Sequence, residues 1–364
     1  MTLHLYFGKK YLITILTTFI IMVLITFLVD LVEHSRRFSS SVNFKSIFFL
    51  TSLNVSKSIY EIIDLIILIS SISFFISISK TSELIIVRGA GRSVYKTLLA
   101  PFIVGLLVGI MLIALLNPLV ASTSKSYLNM KEHLIKGDRA VFSVGSEGLW
   151  LRQRDNAKQS VIRATLANVD ASILYGVTII SLDEKGSVFR RIEAESANIL
   201  KNSWRLNQVK IWPIKKGINS EKNSVYFEKF LMESDITKED ITEKIGESHM
   251  VSIWNLPSYI AQLKAVGLSV RKYEVRFHSE LSHPIFLAAM MLVGCAFTMK
   301  KITGTRQGFA IILSTLIGFG FFYVRNFAEL LAEGNQLNLI AATWIPAISS
   351  ILISLGLILH MEDG

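Results

Sequence analysis

Cysteine and charge are both scarce in this sequence, and each scarcity excludes a class of protein. The 364 residues include one cysteine, Cys295, which lies in an apolar stretch, so neither a disulfide framework nor a cysteine metal site can form. Charged residues make up 18% and hydrophobic residues 51% of the chain, and the mean hydropathy is +0.48. This composition excludes a disordered chain and indicates that much of the protein lies in a bilayer.

A phosphate-binding P-loop is also missing. Gly89 and Gly91 flank Ala90, but the P-loop spacing and its Lys-Ser/Thr ending do not follow. We therefore expect that this chain does not hydrolyse ATP itself. Lys9 and Lys10 precede a long apolar stretch that lacks a small-residue cleavage pattern directly after it, which favours a retained anchor over a signal peptide.

Six apolar segments predict six membrane spans. They are residues 11–29, 46–79, 97–124, 281–299, 307–324 and 334–361. The second segment is longer than one perpendicular crossing needs, so either it tilts or its first turns stand outside the lipid. Basic residues in the short loops predict that both termini are cytoplasmic. Nine lie on the amino-terminal side and four on the other: Lys9, Lys10, Lys80, Arg88, Arg92, Lys96, Lys300, Lys301 and Arg306 against Arg36, Arg37, Lys45 and Arg325.

Between the third and fourth segments the sequence becomes that of a water-soluble domain. Residues 125–276 contain 24 Lys+Arg and 18 Asp+Glu. Residues 177–182 and 187–192 alternate apolar and polar side chains around the turn signal at 183–186, which predicts a β-hairpin. Further strands are predicted at 140–144, 149–152, 160–164, 194–200, 204–212 and 224–230. Their spacing favours an antiparallel sandwich or open roll outside the cytoplasm.

Several charged residues near the spans are candidate functional groups. Lys57, Glu61 and Asp64 share one helical stripe, which is either an intramembrane site or a locally paired group above the lipid. Arg325 is an isolated charge at the end of the fifth segment, where snorkelling explains it most simply. His278 and His283 are five residues apart and are poorly placed to share a metal, so we expect them to be interfacial histidines.

Positive charge also follows the first span, where the orientation rule disfavours it. Arg36 and Arg37, with Lys45 beyond them, could bind the phosphates of an anionic lipid. Alternatively, Asp30 and Glu33 simply neutralise the two arginines on one helix face.

The segment between the second and third spans predicts a partner-binding helix. Thr81 or Ser82 can cap a short helix that ends at Gly89 or Gly91. Its apolar side chains Leu84, Ile85 and Val87 would be exposed at the membrane surface. An exposed apolar helix there would bind a partner protein; burial in the headgroup region is the alternative.

The ordered set of these motifs resembles the LptF/LptG family of lipopolysaccharide export permeases, and the LptG branch more than the LptF branch. The resemblance covers essentially the whole chain. The sequence segments that carry the resemblance are residues 82–91 and 93–95, 182–186 and 190–192, 256–260, 273–278 with Pro284, and 341–346.

The resemblance implies an α+β membrane protein with six transmembrane helices and a periplasmic antiparallel β-jellyroll-like domain between helices 3 and 4. The implied division is 1–124 for spans 1–3 with a coupling helix near 80–91, 125–270 for the periplasmic domain, and 271–364 for spans 4–6. The protein would be a permease subunit in the bacterial inner membrane, not an enzyme.

The resemblance also implies the partners: an LptF paralogue, an LptB ATPase dimer that uses ATP and Mg, and LptC, which leads to LptA. Lipopolysaccharide would be the substrate, with no cofactor or metal in this chain and no nucleic acid. The implied ATPase-coupling residues are Ser82, Glu83, Leu84, Val87, Arg88, Gly89, Ala90 and Gly91. The implied lipid-binding residues are Arg36, Arg37, Lys45, Lys57 and Arg325.

Two other functions fit parts of the sequence. One is a mechanotransmission-type ABC permease, which usually has four spans, so six count against it. The other is a membrane-bound enzyme that acts on envelope lipids through His278, Glu280 and His283. Turnover by the isolated chain would distinguish this enzyme from a permease.

Overall fold

The chain combines long helices with one antiparallel sheet. The computed structural model describes residues 2–38, 43–81, 83, 87, 94–136, 140–145, 148–155, 158–168, 172–183, 187–200, 203–215, 217, 219–234, 236–237, 241, 251–265, 269–299 and 305–363. The helices before the sheet are α1 (Thr2–Phe38), α2 (Phe44–Glu61), α3 (Ile63–Lys80), α4 (Val94–Met111), a π-helical turn (Leu112–Leu116) and α5 (Asn117–Lys136). Those after it are α6 (Leu256–Ala265), α7 (Arg271–Thr298), α8 (Thr305–Glu333) and α9 (Leu339–Asp363).

Six helical segments in the described residues are long and apolar enough to cross a bilayer, which confirms the predicted number. They are Leu3–Phe38, Ile63–Lys80, Leu98–Leu128, Arg271–Thr298, Gln307–Glu333 and Leu339–His360. Most exceed the apolar windows of the sequence because the helices continue into flanking polar turns.

The long second apolar segment forms two helices, of which the second is the span. The break is at Ile62, whose φ of −105° and ψ of 8° leave the helical region. Its backbone N–H still bonds the carbonyls of Ile59 and Tyr60. The segment is therefore not a single tilted helix, and the position of its first turns relative to the lipid stays a prediction.

Helices α3 and α7 form the centre of the membrane unit. In the most apolar window of α7, 89% of residues are buried, whereas the corresponding value for the first span is 6%. A Cβ added at Gly294 of α7 would lie 2.6 Å from Ser71 Cβ of α3, and one at Gly109 of α4 would lie 2.7 Å from Pro284 Cα. Glycine therefore permits the close helix contacts that small residues provide in membranes.

A π-helical turn interrupts the third span and changes which side chains face the core. It occupies Leu112–Leu116 and is followed directly by α5 at Asn117. A π turn inserts one residue into the helical register. Asn117, a polar residue in an otherwise apolar window, is buried with an exposed fraction of 1%.

Between the third and fourth spans, the described residues form seven strands in one sheet. They are β1 (Ala140–Gly145), β2 (Gly148–Asp155), β3 (Lys158–Ala167), β4 (Ile173–Leu182), β5 (Val188–Leu200), β6 (Ser203–Pro213) and β7 (Val225–Glu233). Every strand pairs antiparallel with the next in sequence. This order is a meander without the Greek-key crossovers of a jelly roll. The antiparallel sheet is confirmed, and the jellyroll-like arrangement is not.

The predicted hairpin is confirmed by the pairing of β4 with β5, in which Ile179 lies opposite Ile192. One strand prediction is wrong in detail, because the segments 187–192 and 194–200 form the single strand β5. The alternation of buried residues shifts within β4 and β6 at Gly176 and Gln208, where φ is 61° and 53°. Leu174 and Val177 are consequently both buried on β4, although strict alternation would place them on opposite faces.

The chain divides into two compact units. The membrane unit comprises Met1–Tyr127, Ser252–Trp254 and Glu274–Gly364, and the sheet unit comprises Leu128–Val251 and Asn255–Tyr273. In the sheet unit, the fully buried Trp204 donates its indole N–H to the carbonyl of Ile236 at 2.9 Å. In the membrane unit, the core consists mostly of aliphatic and aromatic side chains from the spans.

Candidate functional site

A group of four ionisable side chains, three of them buried, lies in the membrane unit. Asp64 in the first turn of α3 accepts a hydrogen bond from the ring of His283 on α7, with Nε2 2.7 Å from Oδ1. Its other oxygen, Oδ2, lies 3.4 Å from Nη1 of Arg325 on α8. The Asp64, His283 and Arg325 side chains are each 7% exposed. Charged groups at membrane depth are costly unless paired, and here the pairs join three spans.

Arg325 connects α8 to both central helices. Its Nε donates to Oε1 of Glu329 at 2.9 Å, and its Nη2 donates to Oγ of Ser279 at 2.9 Å. The guanidinium also lies 4.8 Å from the centre of the Phe286 ring, a cation–π distance. We call Asp64, His283, Arg325 and Glu329 the ionic tetrad.

A second polar group adjoins the tetrad. Tyr60 at the end of α2 donates its hydroxyl to Oε2 of Glu280 on α7. Asn117 donates to Oε1 of Glu280 at 2.9 Å and accepts the backbone N–H of Ile253 at 2.9 Å. Arg276 lies 3.6 Å from Glu280. Sequence reasoning missed Tyr60 and Asn117, and an asparagine within an apolar window was the only signal for the latter.

These contacts correct several expectations. Arg325 is buried and its guanidinium is bound by Asp64, Glu329 and Ser279, so it does not snorkel to the membrane surface. Because its donors already have partners within the protein, the structure does not favour the expected role of Arg325 in lipid binding. His283 is buried in an ion pair and is not interfacial. His278 does not share the Asp64 contact. No group of three metal-ligating side chains occurs within the described ranges.

The predicted stripe of Lys57, Glu61 and Asp64 is divided by the break at Ile62. Lys57 and Glu61 are 3.9 Å apart with side chains 39% and 54% exposed, whereas Asp64 is buried among the spans. Local pairing therefore describes the first two residues, and an intramembrane site describes the third. Lys57, expected to bind lipid, is in this local pair.

Only Glu83 and Val87 of the expected coupling segment are among the described residues; Ser82, Leu84, Arg88, Gly89, Ala90 and Gly91 lie outside them. Glu83 Oε1 lies 2.7 Å from Lys10 Nζ of α1 and accepts the Thr81 hydroxyl at 2.8 Å. Partial burial raises the pKa of Glu83. The hydrogen bonds and the charge of Lys10 together lower this pKa by more, so it lies below its usual value.

Val87 does not match the expected exposed face. Its side chain is 6% exposed and belongs to the core of the membrane unit together with residues of the spans. The expectation that Val87 is exposed at the membrane surface is therefore wrong. Glu83 and Val87 instead attach this segment to the helices, one by an ion pair and the other by apolar packing.

Arg36 and Arg37 at the end of α1 are both exposed. Neither forms an ion pair with any residue for which the structure gives a position. Asp30, the expected neutralising partner, instead accepts hydrogen bonds from Asn54 and Ser58, each at 2.9 Å. The side chain of Lys45 is exposed in the first turn of α2. Neither Asp30 nor Glu33 forms an ion pair with these arginines among the described residues, so the alternative of local pairing is not supported.

Comparison with known proteins gives one family and several relatives. The model of the family "Lipopolysaccharide export system permease LptF/LptG" matches residues 5–360. A Haemophilus influenzae protein named lipopolysaccharide export system permease protein LptG is 24% identical over 359 residues, covering 96% of this chain and 95% of the relative. The LptG protein of Escherichia coli K12 is 26% identical over 110 residues, covering 30% and 31% of the two chains.

Proposed function

The chain belongs to the LptF/LptG family of lipopolysaccharide export permeases, and we propose that it extracts lipopolysaccharide from the inner membrane and passes it to a periplasmic bridge. The observation that carries this proposal is the family match over residues 5–360. Its six apolar helices and the antiparallel sheet between the third and fourth spans suit this role. The apolar spans and the sheet would offer acyl chains a path, since each buried methylene contributes roughly 0.8 kcal/mol.

The proposed assembly contains an LptF paralogue, an LptB ATPase dimer, and LptC with LptA beyond it. ATP and Mg would bind the partner ATPase. Both termini would be cytoplasmic and the sheet periplasmic, as the nine basic residues on one side and four on the other favour. ATP hydrolysis could then act only by shifting an equilibrium between conformations of the permease.

The segment 82–91 would dock on the ATPase. Lys10 and Glu83 support a specific role for its start, since their 2.7 Å ion pair joins the segment to α1. A movement of the docked segment would be transmitted to the first span through this pair and to the core through Val87. Such coupling requires that the segment contact the ATPase differently in two conformations.

Arg36 and Arg37 would bind the phosphates of lipopolysaccharide, with Lys45 nearby in sequence. Two observations support this assignment: both arginine side chains are exposed, and neither forms an ion pair with a described residue. Guanidinium groups can donate two parallel hydrogen bonds to phosphate oxygens. Lys57 already has Glu61 as a partner and Arg325 has Asp64 and Glu329, so we do not assign lipid contacts to them.

The testing experiment is purification of the tagged chain from native membranes, followed by mass spectrometry of proteins and lipids. We expect a small ABC ATPase, a second six-span permease and lipopolysaccharide to co-purify. A tagged, unrelated inner-membrane protein of similar length is the control for non-specific lipid. Recovery of the chain without an ATPase, together with turnover of an envelope lipid by the chain alone, would contradict the proposal and favour the enzyme.

A further inference from the structure

Residues Ser252–Trp254 form a short stretch of the membrane unit that the sheet unit encloses in sequence. Leu128–Val251 precede this stretch and Asn255–Tyr273 follow it, and both belong to the sheet unit. Neighbouring side chains within the stretch differ sharply, since Ile253 is 4% exposed and Trp254 is 65% exposed. The chain therefore returns to the membrane unit for a short distance and presents a large exposed indole there.

The third span gives the depth of this stretch in the bilayer. The backbone N–H of Ile253 donates to Oδ1 of Asn117 at 2.9 Å. Asn117 lies 19 residues beyond Leu98, the first residue of the third span, which is about 28 Å along a helix axis. The hydrocarbon core of a bilayer is about 30 Å thick. Asn117 therefore lies near the hydrocarbon boundary opposite Leu98, which we call the distal boundary.

The second span gives the same depth independently. The amide nitrogen of Asn117 lies 3.3 Å from the hydroxyl of Tyr60, which comes just before α3. Helix α3 has 18 residues and ends at Lys80, so it is about 27 Å long and barely sufficient for one crossing. The end of α3 next to Tyr60 must then reach the distal boundary. Both spans place Ile253 and Trp254 at this level.

The indole of Trp254 has the chemistry of an interfacial side chain. In the part of the chain that the structure describes, Trp254 forms no hydrogen bond. By contrast, Trp204 and Trp212 of the sheet unit donate their indole N–H groups to Ile236 and Glu221. An apolar ring with an available N–H suits the ester-carbonyl zone of a leaflet, where the ring contacts acyl chains and the N–H finds an acceptor.

A second exposed aromatic side chain lies at a similar depth. Tyr323 on α8 is 64% exposed and lies 16 residues beyond Gln307, the first residue of the fifth span. This separation corresponds to about 24 Å, which places the Tyr323 ring close to the distal boundary. Tryptophan and tyrosine are enriched at this level of membrane proteins, so the depth of Trp254 favours lipid over water as its surroundings.

We propose that Trp254 is a membrane-interface anchor, whose indole inserts into the ester-carbonyl zone of the phospholipid leaflet at the distal boundary. The hydrogen bond between Ile253 and Asn117 holds the neighbouring backbone at this depth, and the burial of Ile253 directs contact with lipid to Trp254. The anchor requires only a bilayer. It goes beyond the proposed function, and its test does not depend on which lipid is exported.

The experiment is ¹⁹F NMR of the full chain in phosphatidylcholine nanodiscs, with co-purifying partners kept and tryptophan replaced by fluorotryptophan. The chain contains five tryptophans, and Trp254→Phe identifies the signal of interest by its loss. A phosphatidylcholine that carries a nitroxide near the top of its acyl chain should broaden this signal beyond detection. A water-soluble gadolinium chelate should leave it visible.

Trp212 in the sheet unit is the matched control, identified through Trp212→Phe. Its signal should show the reverse behaviour, with broadening by the gadolinium chelate and none by the lipid nitroxide. If the gadolinium chelate alone broadens the Trp254 signal, the indole lies in water and the anchor is refuted. If neither reagent broadens it, a protein surface covers the indole, which overturns the proposal as well.

A second measurement does not depend on the indole signals. Cys295 is the one cysteine of the chain, so Cys295→Ser combined with Trp254→Cys provides a single attachment site for a spin label. Oxygen concentrates in the bilayer and a nickel chelate in water, and we expect oxygen to relax the label at position 254 more strongly. Cys295→Ser combined with Lys222→Cys is the control, where the nickel chelate should dominate. Dominance of nickel at position 254, or exclusion of both reagents, would contradict the anchor.

Discussion

Lys10 Nζ on the first span lies 2.7 Å from Glu83 Oε1, although the two residues are 73 positions apart in sequence. Glu83 is thereby engaged within its own chain, whereas the family resemblance implied that it contacts a partner ATPase. Both side chains are partly exposed, at 27% and 22%. Exposed ion pairs contribute little to stability. This pair is therefore suited to positioning the segment 82–91 and adds little to the stability of the fold.

We predict that Glu83→Lys lowers recovery of the ATPase with the permease, because the introduced ammonium group would repel that of Lys10. The charge-swapped double variant Lys10→Glu with Glu83→Lys should restore recovery, which co-purification from membranes measures. Failure of the double variant to restore it would mean that Glu83 contacts the ATPase itself.

The lowered pKa of Glu83 gives this pair a predictable pH dependence. A carboxylate with a depressed folded-state pKa stabilises the folded contact above its ordinary pKa of 4.5, and the contribution disappears as pH falls through the folded value. The ¹³C chemical shift of the Glu83 carboxylate should therefore be that of the ionised group and stay constant from pH 8 to pH 5. A step near neutral pH would contradict the assignment.

Replacement of Arg36 and Arg37 by Glu should reduce lipopolysaccharide crosslinking by photoreactive residues placed near the end of α1. The reason is that two exposed guanidiniums without partners in the described structure become carboxylates that repel phosphate. The double variant Lys222→Glu with Lys229→Glu, which changes two exposed lysines in the sheet unit, is the charge-matched control. Unchanged crosslinking in the double variant would leave the arginines with a topological role only.

Breaking the Arg325–Asp64 contact should destabilise the membrane unit strongly. Removing one member of a buried ion pair typically costs about 3–5 kcal/mol because the other charge stays buried. Arg325→Met and Asp64→Asn should each lower the melting temperature, and their effects should be less than additive in the double variant. Strict additivity would show that the two residues act independently.

Gly294→Ala should disturb the α3–α7 contact. The added Cβ would meet Ser71 Cβ at 2.6 Å and the backbone nitrogen of Ile72 at 3.1 Å, and tight interiors resist such overpacking by about 1–3 kcal/mol. Gly320→Ala on α8 is the matched control, since nothing lies within 4 Å of its added Cβ. Equal melting temperatures for both variants would refute the close contact.

Hydrophobic and alternating patterns in the sequence were sufficient to predict six spans, the antiparallel sheet and the hairpin of β4 and β5. These features depend on local transfer energies and on side-chain alternation, which each segment carries within itself. The order of short motifs was likewise sufficient for the family. Arg36 and Arg37 could be selected as candidates because their charge opposes the orientation rule, a property visible without coordinates, and their role in lipid binding stays a prediction.

Only the tertiary structure decided which polar residues meet. Asp64 and His283 are 219 positions apart, and no periodicity relates residues on different helices. The break at Ile62 separated Asp64 from Lys57, and the π turn before Asn117 shifted the register of the third span. Burial of Arg325 followed from the packing of α8 against α3 and α7, since a charge that finds Asp64 and Glu329 within the protein has no need to reach the membrane surface.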